Sequence, residues 1–136
     1  MANTFTAPFA QTPKLSAVVV TGADDLTDTP ENTVLLETAG ADGALLTRLS
    51  AMPRATATAS SLHLFISQDS GTIKRLVDSA LLEAHTIEST TAVPVTVFEL
   101  INETTPIRLE AGDQLYVGSG VALGGGIVFK SEMTDF

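Results

Sequence analysis

The feature that most restricts what this chain can fold into is a succession of short apolar runs, rich in Val, Leu, Ile and Thr, each closed by Gly, Asp or Pro. Side chains on a strand alternate between two faces, so short runs of period two bounded by turn residues read as strands. Residues 15–20 (LSAVVV), 33–38 (TVLLET) and 61–67 (SLHLFIS) are such runs, as are 106–109 (PIRL), 114–118 (QLYVG) and 127–130 (IVFK). Over 44–52 the spacing predicts Leu45, Thr47, Leu49 and Ala51 on one face, with Leu46, Arg48 and Ser50 on the other. Residues 93–101 (VPVTVFELI) alternate in the same way, and Pro94 near the start suits a strand end or an edge. Within 61–67, Leu62, Leu64 and Ile66 point one way, His63 and Phe65 the other, and QDSG then turns the chain into a strand from Thr72.

One segment conflicts with this pattern. Ile73, Leu76, Val77, Ala80, Leu81 and Ala84 fall at helical spacing. They sit among strands and lack a strong stop signal, so two short strands with a break near Asp78–Ser79 are expected, an amphipathic helix being the alternative. The loop at 21–32 and the turns at 40–43 and 110–113 supply Gly and Asp where tight backbone is needed. The Ala/Thr-rich stretch 53–60 gives no clear pattern. Together these readings predict an all-β fold, a β-sandwich or jelly roll of about eight short antiparallel strands. At 136 residues the chain makes one domain, 15–136, preceded by an extended N-terminal arm, 1–14, that Pro8 and Pro13 keep from becoming helix. Phe5 and Phe9 are the large apolar groups of that arm, and are the candidate partner-binding residues.

Composition bears on function mainly by exclusion. A net charge of −9 disfavours contact with phosphate backbones and with anionic membrane surfaces. No apolar run reaches the roughly 18 residues of a membrane span, and residues 1–14 lack the pattern of a secretory signal. Cysteine is absent, which removes disulfides, thiol nucleophiles and Cys-based zinc sites. Only 17% of residues are charged, leaving more neutral surface than a free monomer usually carries and pointing to a partner that covers some of it.

Catalytic constellations are scarce. His63 and His85 lie in different segments, too few for a cupin-type metal site, and each reads best as an isolated polar residue. No Gly-x-Ser-x-Gly elbow is present to build a hydrolase triad on. The stretch 118–126 (GSGVALGGG) lacks the Lys-Ser/Thr of a phosphate loop and reads as a flexible or tightly packed connection. Asp24, Asp25, Asp28 and Glu31 offer oxygens for calcium, but they do not match the EF-hand pattern and also suit a solvated loop. Glu99, Glu103 and Glu110 are the acids available for carboxylate chemistry. With no Trp and one Tyr, the aromatic platforms of sugar recognition are missing. No enzyme activity, cofactor or metal is expected.

The C-terminal half, KRLVDSALLEAHTIESTTAVPVT followed by PIRLEAGDQLYVGSGVALGGGIVF and a polar end at TDF, resembles small virion proteins of tailed bacteriophages, of the capsid decoration or cement type. The arm MANTFTAPFAQTPK suits the same group. The resemblance implies a β-sandwich homotrimer on the outer capsid surface that joins neighbouring major capsid subunits, with no nucleic-acid or membrane partner. LEAGDQLYV is also similar to turn-and-strand segments of trimeric jelly rolls of the tumour-necrosis-factor and complement type, a similarity that sandwich turn chemistry alone can produce. The alternatives are a tail or head-fibre component for host attachment, and, from another class, a small ligand-binding protein or carboxylate-dependent enzyme.

Overall fold

The computed structural model describes residues 12–136. Nine strands follow in order: β1 Thr12–Val20, β2 Val34–Thr38, β3 Ala44–Pro53, β4 Ser60–Ser67, β5 Arg75–Leu82, β6 Thr96–Val97, β7 Ile107–Leu109, β8 Gln114–Ser119 and β9 Ile127–Asp135. Every strand pairing is antiparallel, and the pairs nest. The first strand pairs with the last and the second with the eighth; the third pairs with the sixth and seventh, and the fourth with the fifth. The chain is thus one long hairpin wrapped over itself, which is the winding of a jelly roll. It yields two sheets, β1-β9-β3-β6 with β7 also on β3, and β2-β8-β4-β5. The expected all-β sandwich is the fold observed.

The core lies between the sheets, where inward side chains of both meet. Strand β9 shows the alternation most cleanly, with Ile127, Phe129, Ser131 and Met133 buried and Lys130 and Glu132 exposed. Opposite them, Leu62 and Leu64 of β4 and Leu115 and Val117 of β8 are fully buried. Fully burying a side chain of this size contributes about 1.5–3 kcal/mol, so this layer dominates the stability of the domain.

Departures from the expected elements have identifiable causes. Strand β1 already starts at Thr12, so Thr12–Lys14 belong to the sheet and not to the arm; Pro13 is tolerated because β1 is an edge strand. Residues 1–11, with Phe5 and Phe9, lie outside the described residues. In β3 the register shifts between Leu46 and Arg48, so Ala44 and Leu46 are buried before the shift and Leu49 and Ala51 after it. The uniform face expected from Leu45 to Ala51 is therefore broken at Thr47.

Segment 72–84 is neither a helix nor two strands with a break at Asp78–Ser79. It contains the single strand β5, starting at Arg75, with Val77 as an extra residue between the pairs Leu64–Asp78 and Phe65–Leu76. A bulge flips the parity of a strand, so Leu76 and Leu81 share the outer face, and the result imitates helical spacing. Of the strand expected over 93–101 only Thr96–Val97 pairs. Phe98 and Ile101 both enter the core because the chain turns there, Ile101 N–H donating to Phe98 O at 3.0 Å. At the end of the chain β9 runs on to Asp135 through polar residues, since β1 and β3 pair with it on both sides.

Candidate functional site

Two features of the second sheet stand apart from simple packing. The first begins at His63. Its neighbours Leu62 and Leu64 point into the core, so alternation along β4 puts His63, Phe65 and Ser61 on the outer face. The β1–β2 loop, 21–33, crosses that face. Asp24 N–H donates to Ser119 O at the end of β8, and Lys74 N–H, just before β5, donates to Asp28 O. The loop thereby roofs Phe65, which is fully buried although it belongs to the outer face.

Beneath this roof, His63 Nδ1 lies 2.7 Å from Asp24 Oδ1 and His63 Nε2 lies 2.9 Å from Ser61 Oγ. The Asp24 side chain is fully buried and that of His63 nearly so, while Ser61 is exposed. The edge of the imidazole also packs against Phe65, with ring centroids 6.0 Å apart at 78°. Two glycines make room for this series. A Cβ on Gly118 would collide with the Asp24 carboxylate, and a Cβ on Gly120 would lie 2.5 Å from Ser61 Oγ. Asp24 Oδ2, against Gly118, is buried with no hydrogen-bond partner among the described residues. The glycine-rich stretch is thus tightly packed β structure where it meets the relay.

His63 is therefore not the isolated polar residue its alternation suggested. The S-x-H spacing in Ser61–His63 puts both side chains on one strand face, and that was visible in the sequence. Asp24, 39 residues away, was not, because only the jelly-roll winding brings its loop over β4.

The other acids of the loop diverge. Asp25 accepts from the Thr27 hydroxyl and N–H, which hold its carboxyl below the usual value of 3.8. Asp28 pairs with Arg75 at 2.9 Å, and Glu31 is exposed. Among the described residues no group of three His, Asp or Glu side chains is placed to hold a metal ion. Glu99 and Glu103 line one shallow hollow with Arg48 and Glu132, whereas Glu110 sits apart on the turn before β8.

The second feature is the open end of the sandwich. Strands β1 and β2 close the opposite end, where Ser16 Oγ donates to Leu36 O at 2.7 Å and Lys14 Nζ to Thr38 O at 2.8 Å. At the β5–β6 end the sheets part around a cleft of about 710 Å³. Leu81 (62% exposed), Val95 (49%) and Leu100 (78%) stand at its margin, and Asp78, Glu83 and Glu99 also line it. His85 lines it too; its backbone bridges Ala57, and its Nε2 is buried with no partner among the described residues. Among the described residues β5 has no strand neighbour on this side, so the outward half of its backbone groups is unpaired by any described strand.

Comparison with protein-family models and with curated proteins finds no match. Among solved structures, the Eiger TNF from S. frugiperda aligns over 92% of this chain and 94% of its own, at 10% identity and a TM-score of 0.48. At that level the likeness carries no inference about what this chain binds or how it assembles.

Proposed function

We propose that this chain is a structural subunit that works by docking, and that its place is the outer surface of a bacteriophage-type capsid, as a decoration protein bridging neighbouring major capsid subunits. The observation that carries the docking role is the open β5 end, where an unpaired strand edge and the exposed Leu81, Val95 and Leu100 occur together. Sheet edges of this kind accept an added strand, and contiguous exposed apolar side chains mark a contact surface. The virion setting is supported by the sequence resemblance and by an acidic balance that repels a packaged genome.

The occupant of this edge is an extended segment of a shell subunit carrying apolar side chains and Lys or Arg. Asp78, Glu83 and Glu99 line the cleft and the whole chain carries −9, so charge complementarity favours a basic segment. A three-fold arrangement of copies, the multiplicity proposed with this role, would combine weak contacts through avidity.

The test is cosedimentation with capsid shells built from the major capsid protein alone. The unmodified chain and a Leu26→Lys control, altered on the β1–β2 loop, should saturate the shells. Leu81→Lys and Leu100→Lys should each weaken binding roughly tenfold or more, as loss of an apolar anchor worth about 1.4 kcal/mol requires. Failure of the unmodified chain to bind, or an oligomer that forms through this edge in the absence of shells, would remove the shell-docking reading.

A further inference from the structure

We propose that Ser61 is an acyl-acceptor nucleophile, activated by His63, with Asp24 as its positioning residue. The docking role makes no use of the Ser61, His63 and Asp24 side chains, although Leu81 borders both places. Tethering the β1–β2 loop needs only the Asp24–His63 bond. It does not need an exposed hydroxyl at the other ring nitrogen, yet Ser61 Oγ lies 2.9 Å from His63 Nε2. The order is the one nucleophile activation requires: carboxylate on Nδ1, hydroxyl on Nε2, with the carboxylate fixing tautomer and ring orientation. The carboxylate and imidazole are buried, and of the three residues only Ser61 is exposed.

The surroundings define what can react. A Cβ on Gly120 would crowd Oγ at 2.5 Å, so the glycine is what lets the hydroxyl keep its place beside the ring. Leu81, paired with Ser61 across β4–β5, is 62% exposed, and Val121, next to Gly120, is 43% exposed, so an apolar acyl chain has surface to lie on. The nearby N–H groups of Gly120 and Val121 are already donated, to Ser61 O and Ser60 Oγ. Neither is free to stabilise an oxyanion, and lack of one such donor alone costs about 10²–10³-fold in rate. The site therefore suits esters with good leaving groups and short apolar acyl chains, and not peptide bonds. In the step, Ser61 Oγ bonds to the acyl carbon and the bond from that carbon to the leaving oxygen breaks. The hydroxyl proton passes to His63 Nε2 and then to the departing alcohol. No electrons are exchanged with any other species.

The experiment treats the intact protein with p-nitrophenyl butyrate and follows nitrophenolate release together with peptide mass mapping. One butyryl group per chain should appear on Ser61, ahead of the exposed Ser70 and Ser89, which serve as controls within the same molecule. Ser61→Ala should abolish the fast phase. His63→Gln should slow it by about 10²-fold, the usual contribution of a positioned base, with the circular dichroism spectrum unchanged. Butyrylation of Ser61 no faster than of Ser70 and Ser89 would overturn the proposal without any variant. Equal rates for the unmodified and a folded His63→Gln protein would do the same.

Discussion

At His63 one imidazole ties a 13-residue loop to the face of a sheet, joining Asp24 on one side and Ser61 on the other. Removing it leaves the buried Asp24 carboxylate without its hydrogen-bond partner, and an orphaned buried acceptor costs more than the bond itself contributes. His63→Ala is expected to lower stability by about 2–3 kcal/mol, measured by urea denaturation, and to speed amide exchange at Asp24. Stability within a few tenths of the parent would mean that the loop is held by its other contacts. A second residue with a definite signature is Asp69. Its carboxylate accepts from Ile73 N–H at 2.9 Å and from the Ser67 hydroxyl, holding its pKa below 3.8, with the Ile73 bond the larger cause. A carboxyl depressed in the folded state adds stability above its unfolded pKa and loses it as pH falls through the folded value. The 68–74 loop should thus keep its order at pH 4 and loosen only below 3.8, read as the Asp69 carboxyl midpoint in an NMR titration. A midpoint above that value would contradict the cause assigned.

At the scale of elements, the inter-sheet layer carries the stability and the bulges carry the shape. Phe129 on β9 is fully buried, and Phe129→Ala should cost about 3–5 kcal/mol, against less than about 0.5 kcal/mol for an exposed substitution such as Lys130→Ala. Calorimetry or chemical denaturation of the pair checks the contrast. Most strands could be read from the chain because a two-residue period and turn residues are local signals. What escaped reading was non-local. The bulge at Val77 exists only against β4, so alone the segment shows false helical spacing. The strand expected over 93–101 shrinks to two paired residues because Phe98 and Ile101 find the core through a turn. The relay was half visible, in Ser61 and His63. Asp24 looked like one of four loop acids until the winding placed it under Gly118.

For the molecule as a whole, nesting β1 against β9 means that the sheet cannot close until two strands far apart in the sequence meet, Thr12 opposite Asp135. Loop closure must precede the contacts that reward it, so folding should take on the order of milliseconds to seconds, and a microsecond phase for full β signal in stopped-flow or temperature-jump work would contradict this. The same winding leaves the two ends of the sandwich unequal. One is sealed by Lys14 and Ser16, while the other, at β5, stays open, apolar and acid-lined. That asymmetry is the basis for the proposed docking role. Electron microscopy of a phage-type virion, the setting proposed for this chain, tests it most directly. Density for this chain is expected on the outer shell, with β5 and residues 95–100 set against a neighbouring subunit. Density in which that end faces open solvent, or a virion that lacks the chain altogether, would contradict it.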